Sequence, residues 1–236
     1  MDRFSSVIVN KNSHIYQFKL LGHRNYVHGS SMLICLLDAI QSLKPGALEK
    51  QAHIKQFKII KEFHTNAKAI VMPISEAPSS VYLKDAVARL DLKTEFGEFT
   101  SLLLPLADEI VSNRISTYDS KDYVNSAESF DNGKAVAWLK NIYNYIDFLR
   151  GIIEANVQLT TCEMSQSGKI SKIRWAYIMD FPFFNSTDVV KHKKIYLTKK
   201  TEVRKGNRIF QVKSISFDGL NDTFTPELAF FIELAQ

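Results

Sequence analysis

The chain lacks what small, cross-linked or metal-bound proteins depend on. Only two of its 236 residues are cysteine, Cys35 and Cys162. They lie far apart, which leaves no disulfide framework and no cysteine-based metal spacing. Cys35 sits inside an apolar stretch and reads as a small buried hydrophobe. The six histidines include no pair at metal-ligand spacing, so no metal is expected. No Gly-x-Ser-x-Gly and no phosphate-cradling glycine loop occurs, which argues against a serine nucleophile on a strand–helix elbow and against a P-loop. No apolar run reaches the roughly 18 residues that a membrane span needs. Residues 1–12 mix Asp2, Arg3 and Lys11 with short apolar steps and build no signal-peptide core. These absences lead to the expectation of a cytoplasmic protein with no membrane partner.

What is present is material for a large core. Sixteen phenylalanines and nine tyrosines accompany a 45% hydrophobic and 23% charged composition, ordinary for a globular protein. The length fits one large domain or two of about 100 residues. The net charge of +5 suggests at most a preference for acidic partners.

Alternation predicts strands over 14–21, 53–63, 67–74, 87–93 and 100–106, with a turn at Phe96-Gly97-Glu98. Between the first two, Ser30 or Ser31 can cap an apolar helix that runs to about Leu43 and stops at Lys44-Pro45-Gly46. Residues 108–132 are polar and irregular and read as a link. The order then repeats. Asp131-Asn132-Gly133 is expected to open a second helix over 135–153, striped by Leu139, Ile142, Tyr143, Ile146, Leu149 and Ile153. A hairpin is expected to begin at 157–161 and close near Ser167-Gly168. Strands follow over 173–179, 194–203, 208–217 and 227–234, with a turn at Arg204-Lys205-Gly206-Asn207. Each half is one long buried helix with antiparallel strands, an α+β arrangement. The expected boundaries are 1–110 for the first unit, 111–132 for a linker and 133–236 for the second unit.

The chemistry concentrates where a polar loop meets the first helix: Gly22-His23-Arg24-Asn25-Tyr26-Val27-His28-Gly29, then Ser30-Ser31, then Leu37-Asp38-Ala39-Ile40-Gln41. Loops carry chemistry that rigid elements aim. The exposed N–H groups of the first helical turn can polarise a carbonyl oxygen, and Gly29 permits close approach. His28 and His23 are the candidate titrating groups, together with Asp38. Asn25 and Tyr26 can donate hydrogen bonds to a substrate, beside Gly29, Ser30 and Ser31. His53, His64 and His192 lie among lysines and read as solvated. Lys191, His192, Lys193, Lys194, Lys199, Lys200, Arg204 and Lys205 form a basic cluster suited to an acidic partner or to a phosphate. Aromatic residues do not interleave with it as nucleic-acid stacking requires.

One greasy helix wrapped by a curved antiparallel sheet resembles a hotdog domain, and two in tandem resemble a double hotdog. The Gly22-His23 pair and the Leu37–Gln41 segment are similar to the signatures of beta-hydroxyacyl carrier-protein dehydratases: a Gly-His pair, a second glycine, and a helix with Leu-Glu-Ala-x-x-Gln. Here Asp38 stands for the glutamate, Arg24-Asn25-Tyr26-Val27 replaces the usual prolines, and His23 to Asp38 is one residue longer than the family spacing. The resemblance implies a histidine that takes the proton alpha to a thioester carbonyl and a carboxyl group that protonates the departing hydroxyl, the two drawn from different hotdog units. It further implies coenzyme A or acyl-carrier-protein substrates in fatty acid or polyketide-type biosynthesis, no cofactor of the protein's own, and compatibility with a homodimer. Counting from Gly133 as from Gly29 places the second unit's counterpart of Asp38 near Ile142, between Asn141 and Tyr143, where nothing is acidic. Nor does Asp131-Asn132-Gly133-Lys134 hold the histidine that the converse site needs. These two gaps give the alternative expectation, a non-catalytic protein that binds acyl chains or a carrier partner.

Overall fold

The computed structural model describes residues 4–10, 12–21, 25–48, 52–77, 84–115, 120–129, 133–164, 169–182, 193–218, 220 and 224–235. The chain divides into two compact units, residues 1–119 and 120–236.

Unit 1 runs β1 (Phe4–Asn10), β2 (Ser13–Phe18), β3 (Leu20–Leu21), α1 (Gly29–Leu43), β4 (His53–Ile59), β5 (Thr65–Pro73), β6 (Ala88–Thr94), β7 (Gly97–Ile110) and β8 (Arg114–Ile115). Its main sheet has the order β1-β2-β5-β7-β6-β4, with every pairing antiparallel. The short β3 and β8 pair in parallel. Side chains alternate faces along a strand, and β5 buries Thr65, Ala67, Ala69 and Val71. Register then places Tyr16 opposite Ala67 and His14 opposite Ala69. Large inward rings on β2 thus face small inward residues on β5, which conserves volume in a close-packed layer. Against this core lies α1, with Leu33, Leu36, Leu37 and Ile40 buried. The helix stops where expected: the Lys44 N–H returns to the Ile40 carbonyl and Gly46 takes a positive φ of 88°.

Unit 2 runs β9 (Val124–Ser129), β10 (Lys134–Leu139), α2 (Tyr145–Met164), β11 (Ile170–Pro182), β12 (Lys194–Lys205), β13 (Arg208–Phe217) and β14 (Glu227–Leu234). The strand order is β11-β14-β13-β12-β10-β9, again antiparallel throughout. Phe148 of α2 is fully buried among Phe181 and Phe217, with ring centroids at 6.3 and 5.3 Å. Gly151 lets α2 approach β10, because a Cβ there would meet the Leu139 side chain at 3.0 Å.

Unit 2 corrects three expectations. Residues 135–139 are strand, not the start of a helix; β10 is buried on both faces, and a short apolar run of that kind has no readable period. Residues 157–161 belong to α2, which runs on to Met164, and open no hairpin. The stretch expected as a linker holds β8, a 3-10 turn over Ser120–Tyr123, and β9, an edge strand whose outward residues are polar. In unit 1, β1 was not anticipated at all.

The true start of α2 is set by Asn144. Its Oδ1 accepts the Asp147 N–H at 3.0 Å and its carbonyl accepts the Phe148 N–H at 3.1 Å. Truncating such a cap removes a partner from an otherwise orphaned amide. Asn144→Ala is expected to cost about 1 kcal/mol in a denaturant titration, whereas Asn144→Asp should cost little.

Candidate functional site

The polar loop is anchored before it reaches the helix. Val27 is fully buried and its N–H donates to the Phe63 carbonyl at 2.8 Å. Asn25 is exposed, and its Oδ1 accepts from Arg114 at 3.1 Å; Tyr26 is half-buried. Gly22 and His23 lie outside the described residues, so the first of the two candidate histidines has no structural account.

The helix cap is His28, two or three residues earlier than the expected Ser30 or Ser31. Its backbone is extended (φ −71°, ψ 141°), and its carbonyl accepts the N–H groups of Ser31 and Met32 at 2.9 and 3.1 Å. An aromatic ring replaces the usual short capping side chain. Nδ1 accepts the Ser30 N–H at 3.3 Å and lies 2.7 Å from the Ser30 hydroxyl. Ser30 and Ser31 are both buried, and the Ser31 hydroxyl has no hydrogen-bond partner among the described residues. The half-buried His28 and the buried Gly29, Ser30 and Ser31 thus come together in one turn at the positive end of the α1 dipole.

Asp38 lies ten residues further, beyond the first two turns, and is not part of that cluster. Its Oδ2 accepts the Tyr16 hydroxyl at 2.8 Å. Tyr16 is fully buried and stacks on His14 with centroids 6.3 Å apart. Burial first, then the neighbouring Cys35 and Asp38, push the Tyr16 hydroxyl far above the ordinary phenol range. Burial, with Asp38 next, likewise raises the Cys35 thiol, which leaves it a protonated core group and a poor nucleophile. His14 itself, 2% exposed, has no partner for Nε2 among the described residues. Its burial follows from strand parity with Tyr16 and Phe18, a signal that was in the sequence.

The buried tyrosines carry a consequence for pH. Tyr145 at the start of α2 is also raised by burial. In both, the folded state keeps a proton that the unfolded chain releases above pH 10. Stability is therefore fully present below pH 10 and is lost as pH climbs above it. Thermal unfolding across pH 9–12 is expected to show this fall, with Tyr16→Phe showing a shallower one.

On the second helix the corrected start changes the inventory of acids. Asp38 is ten residues beyond its cap, His28; ten beyond Asn144 is Glu154. Glu154 is 3% exposed. Ile153-Glu154-Ala155-Asn156-Val157-Gln158 also fits the Leu-Glu-Ala-x-x-Gln pattern more fully than Leu37–Gln41, which is one residue short between acid and glutamine. The missing acid behind the non-catalytic alternative came from counting through β10, whereas the missing histidine in Asp131-Asn132-Gly133-Lys134 is unaffected. Of the other two acids of α2, Asp147 is tied to Arg150 at 3.3 Å and Glu163 to Lys213 at 3.4 Å.

The basic cluster is partly neutralised. Lys199 pairs with Glu202 at 3.4 Å and Lys200 with Glu227 at 2.6 Å, while Lys194 lies over the Trp138 and Tyr196 rings. Arg204 and Lys205 project from the exposed end of β12; Lys191 and His192 lie outside the described residues. His64 is exposed as expected, but His53 is half-buried. Among the described residues no three His, Cys, Asp or Glu side chains gather as a metal site, and no helix is long and apolar enough to cross a membrane.

No protein-family model matches the chain, and no curated protein matches it. Solved structures do. A conserved hotdog-fold protein of unknown function from Alicyclobacillus acidocaldarius superposes with a TM-score of 0.54 at 6% identity, over 98% of this chain and 96% of that one. The dehydratase domain of the polyketide protein PpsC from Mycobacterium tuberculosis superposes at 0.52 and 9% identity, over 98% and 97%. The same domain in complex with C12:1-CoA gives 0.51, again at 9% identity. The chain has the double hotdog fold, with one long helix and one antiparallel sheet in each unit.

Proposed function

We propose that this protein processes acyl thioesters, in the manner of a dehydratase or a thioesterase, on coenzyme A or carrier-protein substrates. The observation that carries the reading is Glu154. A carboxyl group that is nearly inaccessible to solvent, on a helix with the dehydratase pattern, is what acid–base work on a dry acyl chain requires. Within unit 1, and independently of Glu154, the first turn of α1 has an amide dipole, a glycine and the ring of His28, which suit it to polarise a carbonyl. Asp38, which accepts the Tyr16 hydroxyl, is the second acid candidate. Asn25, Tyr26, Ser30 and Ser31 would orient the thioester, and Arg204 and Lys205 would attract the phosphate of a pantetheine arm or an acidic carrier.

Two single substitutions test the reading with a short 3-hydroxyacyl pantetheine thioester. His28→Ala is expected to lower turnover by about a hundredfold or more. If His28→Ala and His23→Ala both turn over at the wild-type rate, the assignment of the loop fails.

A further inference from the structure

We infer that Tyr16 is a positioning residue for Asp38: its hydroxyl occupies Oδ2 and so leaves Oδ1 to move protons on the thioester; this rests on the acyl-thioester reading above. Both residues belong to unit 1. The Tyr16 hydroxyl donates to Oδ2 at 2.8 Å. Asp38 is half-buried, and among the described residues nothing bonds its other oxygen, Oδ1, which keeps contact with solvent. One oxygen is taken up by a core group and the other is open. The holder is rigid. Tyr16 is fully buried on β2, stacks on His14 at 6.3 Å and meets the Phe18 ring at 6.4 Å. Ala67 stands opposite it in register and leaves room for the ring. The direction of the bond is also fixed. Burial keeps the phenol protonated, far above its ordinary range, and a carboxylate can only accept. An oxygen that already accepts from a lasting donor is the less basic of the two, so the exchanging proton goes to Oδ1.

The chemistry follows from that division of the two oxygens. In dehydration Oδ1 takes the proton from Cα. The Cβ–O bond breaks as the Cα–Cβ double bond forms, and Oδ1 returns the same proton to the departing hydroxyl, which leaves as water. In hydrolysis Oδ1 takes a proton from the attacking water, and the thiolate accepts it when the C–S bond breaks. Tyr16 keeps its own proton throughout. Its contribution is orientation: without it the carboxyl group turns about its side-chain bonds, and either oxygen can face the core.

A residue that acts through another loses its effect once that other is neutralised, whereas a merely structural residue slows both backgrounds alike. The experiment measures kcat and KM on a short 3-hydroxyacyl pantetheine thioester, with a melting curve for each protein. The proteins are wild type, Tyr16→Phe, Asp38→Asn, the double variant and Asp38→Glu. Asp38→Asn is expected to lower kcat by about a hundredfold. Tyr16→Phe is expected to lower it about tenfold in the wild-type background with little change in KM, and less than about twofold in the Asp38→Asn background. Asp38→Glu keeps the acid but displaces its oxygens by a methylene, and kcat should fall about tenfold. That variant leaves the buried ring in place, so it decides the matter if Tyr16→Phe does not fold. Asp38→Asn or Asp38→Glu at the wild-type rate, or equal losses from Tyr16→Phe in both backgrounds, overturns the inference while leaving the thioester reading intact. A wild type that turns over no thioester removes that reading and the inference with it.

Discussion

Glu154→Gln should reduce thioester turnover by at least about a hundredfold while leaving the fold in place. Glutamine has the shape of glutamate and keeps an acceptor and adds a donor, so the buried position is not emptied. What it loses is the ability to take up and return a proton. The side chain is 3% exposed and belongs to a helix that is buried along most of its length. Asp147→Asn is the matched comparison: it removes the acid of the first turn of the same helix, which pairs with Arg150, and it should affect stability more than rate. Measured kcat for the two variants, with melting temperatures alongside, checks the pair. Equal rates for Glu154→Gln and wild type would reduce Glu154 to a structural acid.

Phe148→Ala should be the most damaging single core change in unit 2. The ring is fully buried and meets Phe217 edge-on at 5.3 Å and Phe181 at 6.3 Å. Phe181 and Phe217 also touch one another at 6.3 Å, so the three rings form one packed group beneath α2. Removing one leaves a cavity that the other two cannot fill without leaving their rotamers. The expected loss is about 3–5 kcal/mol, read from denaturant midpoints at constant slope. Phe231→Ala is the control: that ring is 46% exposed, and truncation there should cost well under half as much. Comparable losses would mean that α2 is not packed as described.

Strand alternation was legible because one face of most strands is buried. The periods at β4 to β6 and β11 to β14 put each within a few residues, and 227–234 coincides with β14. Both failures around α2 have one cause. Ala135 to Leu139 is an apolar run behind Asp131-Asn132-Gly133, and nothing in so short a run separates a doubly buried strand from a helical turn. Asn144, which has the residue type of a good cap, was passed over for the glycine, and the helix was read about ten residues too early. The acid at Glu154 went unseen for the same reason, although its Glu-Ala-x-x-Gln spacing was in plain view. In unit 1 the loop and helix were located, but the cap was not. Histidine is an uncommon capping residue, and only the geometry of Nδ1 against Ser30 shows it in that role. Tyr16 and Asp38 are 22 residues apart, and no periodicity reports a hydrogen bond between a strand and a helix at that separation.

The most direct measurement is mass spectrometry of the purified protein incubated with 3-hydroxyacyl pantetheine thioesters of several chain lengths. Conversion is the expected result: loss of water identifies a dehydratase, and release of free thiol identifies a thioesterase. Recovery of every thioester unchanged, with acyl chains bound but not altered, would contradict the account and leave Glu154 and His28 as parts of a binding fold.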